Sequence, residues 1–224
     1  NIPINLSSAS QLTILTVYNS KGTLDERAIW TATINPGQDV MLSTQKITGP
    51  QSIAKYSEGN MNLPVVNTSS QYWGKAGEGV DGASLYIGGA AHTDLNPFIG
   101  DIAEFIVFDR LVGGVEMQML QSYLSIKYGA TYQYSNYVSS KGDVVWNYTE
   151  NEEYSFAIAG IGRDEGFDLY QKQPSNVEFP ELLTIAANTI ATTNEANPST
   201  IGNGNFLVWG MNEKEPTMEL SDSA

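Results

Sequence analysis

The feature that most narrows the fold of this chain is a succession of short β-branched and aromatic runs, each ended by Gly, Pro or Asn. Leu12-Thr13-Ile14-Leu15-Thr16-Val17-Tyr18 is one such run, of strand length. Ala28 to Ile34 and Asp39 to Thr44 are two more, separated by the turn Asn35-Pro36-Gly37. Gly74 to Gly82 is glycine-rich and polar and reads as a loop, and Ser84 to Ile87 is a strand running into Gly88-Gly89. Ile99 to Arg110 is apolar on both faces, as a strand buried inside a sandwich would be. Beyond Tyr132, strands are predicted over Gly142 to Trp146, Phe156 to Ile161, Leu182 to Ala187 and Phe206 to Trp209, with Asn188 to Asn205 as a long surface loop. Helical spacing is confined to Val115 to Lys127, where Met117, Leu120 and Leu124 form a stripe with Tyr123 beside it and Gly129 is the stop signal.

This pattern predicts an all-β protein. Residues 1–133 should form a two-sheet antiparallel jelly-roll sandwich closed by the Ile99 strand, with the helix packed against it. Residues 134–224 should add a smaller, acidic, β-rich unit. The 12 Tyr, 21 Gly and 9 Pro suit pleated strands and their turns. Trp30, Trp146 and Trp209 fall within predicted strands and are expected in the core.

Eleven basic residues stand against 25 acidic ones, and 14 of the acidic residues lie in residues 134–224. Such a surface repels phosphate backbones and anionic lipid, so nucleic acid and membrane surfaces are not expected partners. No run reaches the roughly 18 apolar residues of a membrane span. The absence of Cys removes disulfides, thiolate metal sites and cysteine nucleophiles. The opening Asn1-Ile2-Pro3 shows no signal peptide, which suggests a mature or excised piece of something longer.

Two stretches carry a family resemblance. The first is Ile102-Ala103-Glu104-Phe105-Ile106-Val107-Phe108-Asp109-Arg110, then Glu116 and Gln121-Ser122-Tyr123-Leu124-Ser125-Ile126-Lys127-Tyr128-Gly129. It resembles the closing strand and helix of laminin-G-like, concanavalin-A-like domains in large secreted proteins of the Bacteroidota. The second comprises Tyr137-Val138, Val145-Trp146, Ile158-Ala159-Gly160-Ile161-Gly162-Arg163-Asp164, Gln171-Lys172-Gln173 and Phe206-Leu207-Val208-Trp209-Gly210. It resembles the segment that usually follows that domain. The resemblance implies export, often by the type IX route, and an extracellular place on the cell surface or in the medium. It also implies a role in adhesion, and fold likeness alone leaves the ligand open.

The chemistry of individual residues is sparse. Laminarinase-type hydrolases of the same fold use a Glu-x-Asp-x-x-Glu strand; here the string is Ile99-Gly100-Asp101-Ile102-Ala103-Glu104, with Ile99 in place of the leading Glu. An unbroken strand would also send Asp101 and Glu104 to opposite faces. The lone His92, among glycines, reads as a loop histidine and lacks a nucleophile elbow. The glycines of Gly160-Ile161-Gly162-Arg163-Asp164-Glu165-Gly166 read as a tight turn, with Arg163 paired to a neighbouring carboxylate. Sandwiches of the resembled type often hold calcium at a loop edge, which marks Asp81, Asp94 and Asn96 as candidate oxygen ligands. For a sugar, the best cluster is Tyr72 and Trp73 with Asn67 and Gln71.

Three functions follow. One is a non-catalytic binding or adhesion module that recognises glycan or another surface macromolecule, with calcium as a candidate cofactor. The second is a structural spacer or assembly domain contacting neighbouring domains of a longer chain. The third, a glycoside hydrolase, requires a carboxylate pair that the sequence does not display.

Overall fold

The computed structural model describes residues 11–21, 25–35, 38–48, 53–57, 65–73, 84–89 and 95–212. The chain divides into two compact units between Met117 and Gln118. The boundary expected after residue 133 therefore falls too late, and all but the start of the helix goes with the second unit. The fold is all-β apart from that helix: several antiparallel sheets carry the architecture.

In the first unit the strands are β1 (Gln11–Ser20), β2 (Arg27–Asn35), β3 (Gln38–Ser43), β4 (Ile47–Thr48), β5 (Ile53–Ser57), β6 (Val65–Trp73), β7 (Ser84–Ile87), β8 (Asn96–Pro97) and β9 (Gly100–Phe108). One sheet runs in the order β5-β6-β1-β9, and the other in the order β4-β3-β2-β7, with β8 added in parallel on β2. Ile14, Tyr18, Ile102, Phe105 and Val107 from the first sheet pack with Ile29, Trp30, Ala32, Val40, Leu42 and Leu85 from the second. The two sheets thus form a sandwich. Trp30 is fully buried and meets Phe105 edge-on, with ring centroids 6.4 Å apart.

Two irregularities pinch β1 at one point. Between Thr16 and Val17 the partner strand β6 carries the extra residue Asn67, and between Val17 and Tyr18 the other partner, β9, carries the extra residue Ala103. Each is a β-bulge, which shifts by one the face that later residues present.

Helix α1 (Gly114–Tyr128) ends where expected: Gly129 has φ 64°, and a Cβ there would overlap the Ser175 carbonyl oxygen. Its burial is wider than one stripe. Leu120 through Ile126 are all buried, including Gln121, Ser122 and Ser125. The small hydroxyls make that possible, since Ser122 donates to the Gln118 carbonyl at 2.7 Å and accepts from the Val138 amide at 3.0 Å. Tyr123 also packs on Phe167 with centroids 5.5 Å apart. These contacts lie within the second unit and explain why the helix belongs there.

The rest of that unit comprises β10 (Tyr137–Val138) paired with β11 (Val144–Trp146), a short 3₁₀ turn over Glu152–Tyr154, and the sheet β13-β12-β14. Here β12 is Phe156–Asp164, β13 is Leu169–Gln171 and β14 is Phe206–Met211. Gly160 and Gly162 sit inside β12 and make no turn, which corrects the sequence reading. At Gly162 a Cβ would run into the Phe206 ring of β14, so the glycine lets the ring lie on the strand. Leu182 to Ala187 is not a strand: only Thr184 makes an isolated bridge, with Ser175. The segment expected as a surface loop is anchored, with Asn197 wholly buried.

Candidate functional site

The residues of the sugar cluster predicted from sequence lie on an interior strand, with Tyr72 and Trp73 at its end. Asn67, Gln71, Tyr72 and Trp73 all belong to β6, which pairs with β1 on one side and β5 on the other. Tyr72 stands opposite Leu12 and Ile53 in the register, Trp73 opposite Gln11, and Asn67 is the bulge residue. Of the calcium candidates, Asn96 is exposed and sits in β8 paired with Arg27, a strand position where a loop was expected. Asp81 and Asp94 lie outside the described residues, as do His92, the 36–37 turn and the loop at 74–82. Among the described residues no group of three His, Cys, Asp or Glu side chains gathers in a form that could hold a metal.

The bulge at Ala103 overturns the parity argument for Asp101 and Glu104. In the register, Asp101 faces Asn19 and Glu104 faces Val17, two positions on the same side of β1. Both carboxylates therefore share the face of β9 away from the core. Asp101 forms an exposed ion pair with Lys21 at 2.8 Å. The leading position remains Ile99, so the hydrolase pattern is still incomplete.

In the second unit the residues of the resembled motif are occupied by the fold. Asp164 is buried and accepts the Ser140 amide at 2.6 Å, the Ser140 hydroxyl and the Gly166 amide at 3.1 Å. Arg163 pairs with Glu165 at 2.8 Å, as the sequence suggested, and lies over the Tyr170 ring. The Tyr170 hydroxyl donates to the Ser199 carbonyl at 3.2 Å and accepts the Ile201 amide at 3.0 Å. Lys172 is 9% exposed; its ammonium donates to the Asn197 carbonyl and sits over the Tyr170 ring. Gln173 exchanges two hydrogen bonds with the main chain of Ala191, at 2.8 and 2.9 Å. The Asn197 amide donates to the Thr189 carbonyl at 2.7 Å, while Asn194 bridges the Lys172 amide and the Tyr170 carbonyl. A segment with almost no regular structure is held by side chains bonded to main chain.

That scaffold shapes a cleft of about 510 Å³ lined by Lys127 and Tyr128 from the end of α1, Asp168 and Gln171 around β13, and Asn194 and Glu195 from the anchored segment. Asp168 has φ 53°, a left-handed conformation that Asp tolerates in the turn between β12 and β13. Gln171 directs its amide nitrogen at the Lys127 carbonyl, 2.7 Å away, tying the strand to the helix end. Sequence reasoning missed this cleft because its three pieces meet only through the fold. The one signal available was the Gln171-Lys172-Gln173 motif, which supplies the floor and the anchors.

Residues 116–224 match a domain of unknown function, DUF8202, so the match covers the second unit and nearly all of the helix. No curated protein and no solved structure matches the chain.

Proposed function

We propose that the chain is a non-catalytic binding module of an extracellular, cell-surface protein, with glycan as its ligand. The observation that carries this reading is the cleft of about 510 Å³, where Tyr128 lies beside the polar side chains of Asp168, Gln171, Asn194 and Glu195. Concave sites with a few convergent polar groups are where small ligands bind, and an aromatic side chain beside them suits a sugar ring. The rim is pre-organised, because Asn194 and Gln171 are each fixed by main-chain hydrogen bonds. The surface location rests on the resemblance to secreted Bacteroidota proteins, and so does calcium at the Asp81, Asp94 and Asn96 edge.

A second reading, a spacer or assembly domain, is favoured by one observation. The polar side chains of the motif, from Arg163 to Gln173, are largely used up in holding their own loop. A glycan array probed with the whole folded chain, with calcium and with chelator, separates the two. Binding to a defined sugar set, weakened at least tenfold by Tyr128→Ala, supports the cleft; loss under chelator supports the calcium. Silence in both conditions from a folded protein sinks the binding reading and leaves the spacer.

A further inference from the structure

We infer that the loop at 178–183, with the face of β14 beside it, is a docking surface for a protein segment that combines apolar side chains with Lys or Arg. This goes beyond the glycan reading and uses none of the residues that line the cleft. Glu178, Phe179, Pro180, Glu181, Leu182 and Leu183 are six consecutive exposed residues, and three of them are large and apolar. Single exposed apolar residues are ordinary, whereas several together, rimmed by charge, mark a contact surface. Phe179, Leu182 and Leu183 share one depression with Trp209 and Met211, which are two positions apart on β14 and so project from the same face. The loop is fastened at its base by the bridge between Ser175 and Thr184. Asn176, 4% exposed, donates its amide to the Ile158 carbonyl at 3.0 Å and to the Thr131 hydroxyl at 3.1 Å, while its oxygen accepts the Glu178 amide at 2.9 Å. The Leu182 amide donates to the Phe179 carbonyl at 3.1 Å, and the Phe179 ring packs on Phe156 with centroids 5.0 Å apart. An apolar turn held this way has little freedom left to lose on binding.

Two features choose the occupant. The depression has about 10 Å³ of room, close to that of a single water, so it suits a broad contact with a protein and not a small molecule. Charge then selects the protein. Glu178 and Glu181 stand on either side of Phe179 and Pro180, and neither carboxylate has an ion-pair partner among the described residues. Ten acidic residues lie between 118 and 212 against four basic ones, and none of those four (Lys127, Lys141, Arg163 and Lys172) lines the depression. Lys or Arg flanking the apolar side chains of a partner would therefore find opposite charge at the rim, which speeds encounter and suppresses acidic competitors. A second copy of the chain, meeting this one across a two-fold axis, would set the same glutamates against each other. The chain's own residues 213–224 would bring Glu213, Glu215, Glu219 and Asp222 against a single Lys214. Both of those occupants meet like charge.

The test is selection of a phage-displayed library of random peptides on the whole folded chain, followed by binding kinetics of the synthesised winners. The expected winners combine Leu, Phe or Trp with Lys or Arg. Leu182→Ser with Leu183→Ser, two changes at exposed positions, should weaken them by about tenfold or more while the protein keeps its thermal midpoint. Glu178→Gln with Glu181→Gln should slow their association and remove most of its salt dependence. Failure to enrich any peptide overturns the inference, as do winners that are acidic or uncharged, or that bind the serine variant equally well. Two further outcomes would also overturn it by naming another occupant. One is a dimer in sedimentation that the serine variant dissolves, which assigns the surface to a second copy. The other is enrichment only after Met218→Ser with Leu220→Ser, which assigns it to the chain's own residues 213–224. None of these results touches the glycan reading, because the cleft is unchanged in every variant.

Discussion

Trp30 sits fully buried in the core of the first unit, with no partner for its indole nitrogen among the described residues. Its contribution is thus packing, and the unmet donor is a cost. Trp30→Ala should destabilise the unit by about 3–5 kcal/mol, whereas Trp30→Phe should cost under about half of that, because it removes the unmet donor along with some volume. Equal losses in a urea titration of both variants would contradict this account. Acid should act through two other residues. Arg110 donates to both oxygens of Glu116, at 2.7 and 2.5 Å, and holds that carboxyl below its ordinary 4.5; the Ser43 hydroxyl does the same for Glu26. A carboxyl whose folded pKa is depressed stabilises fully above its unfolded pKa, and that contribution is lost as pH falls through the folded value. The thermal midpoint should therefore decline on acidification below the ordinary 4.5, and Glu116→Gln should flatten part of the decline. A midpoint that climbs in acid would rule this out. At this scale the sequence was readable where a residue acts locally, as with Gly129 at the helix stop and Arg163 with its carboxylate neighbour. It was unreadable where two inserted residues, Asn67 and Ala103, reset the faces of whole strands.

Elements that carry their own pattern were legible, and those that borrow stability from neighbours were not. The strands at Gln11–Ser20, Arg27–Asn35, Gly100–Phe108 and Phe156–Asp164 follow apolar, β-branched runs. By contrast, β6 reads Val-Val-Asn-Thr-Ser-Ser-Gln-Tyr-Trp, too polar to announce a strand, and exists because β1 and β5 pair with it from both sides. The opposite error arose at Leu182 to Ala187, an apolar run with no partner strand; its end is instead fastened by the Ala187 amide to the Lys172 carbonyl, at 2.8 Å. The anchored segment gives a prediction of its own. Asn197→Ala removes an amide that bonds to Thr189, Gln173 and Ser199, and should cost about 1–3 kcal/mol. The first new protease cuts should fall between residues 187 and 205, and cuts elsewhere would show that the segment is held by something other than these bonds.

Across the whole molecule, the division between Met117 and Gln118 falls inside a continuous helix. A chain trimmed to residues 110–224 should melt cooperatively, and one trimmed to 134–224 should not, because it loses Leu120, Tyr123 and Leu124 together with the Ser122 and Lys127 contacts. Circular dichroism melts of the two fragments check this, and a cooperative melt of the shorter one would refute it. The excess of acidic residues in the second part of the sequence makes salt a further control on that comparison, since self-repulsion weakens as ionic strength rises. The helix also bears on how such a unit could be inherited. A recombination event that copies the second unit into another gene must cut upstream of the helix, in the stretch after Phe108, because a cut at residue 133 would leave the copied piece without its central packing partner. The family match opens at residue 116, in the first turn of that helix, and so takes in nearly all of it.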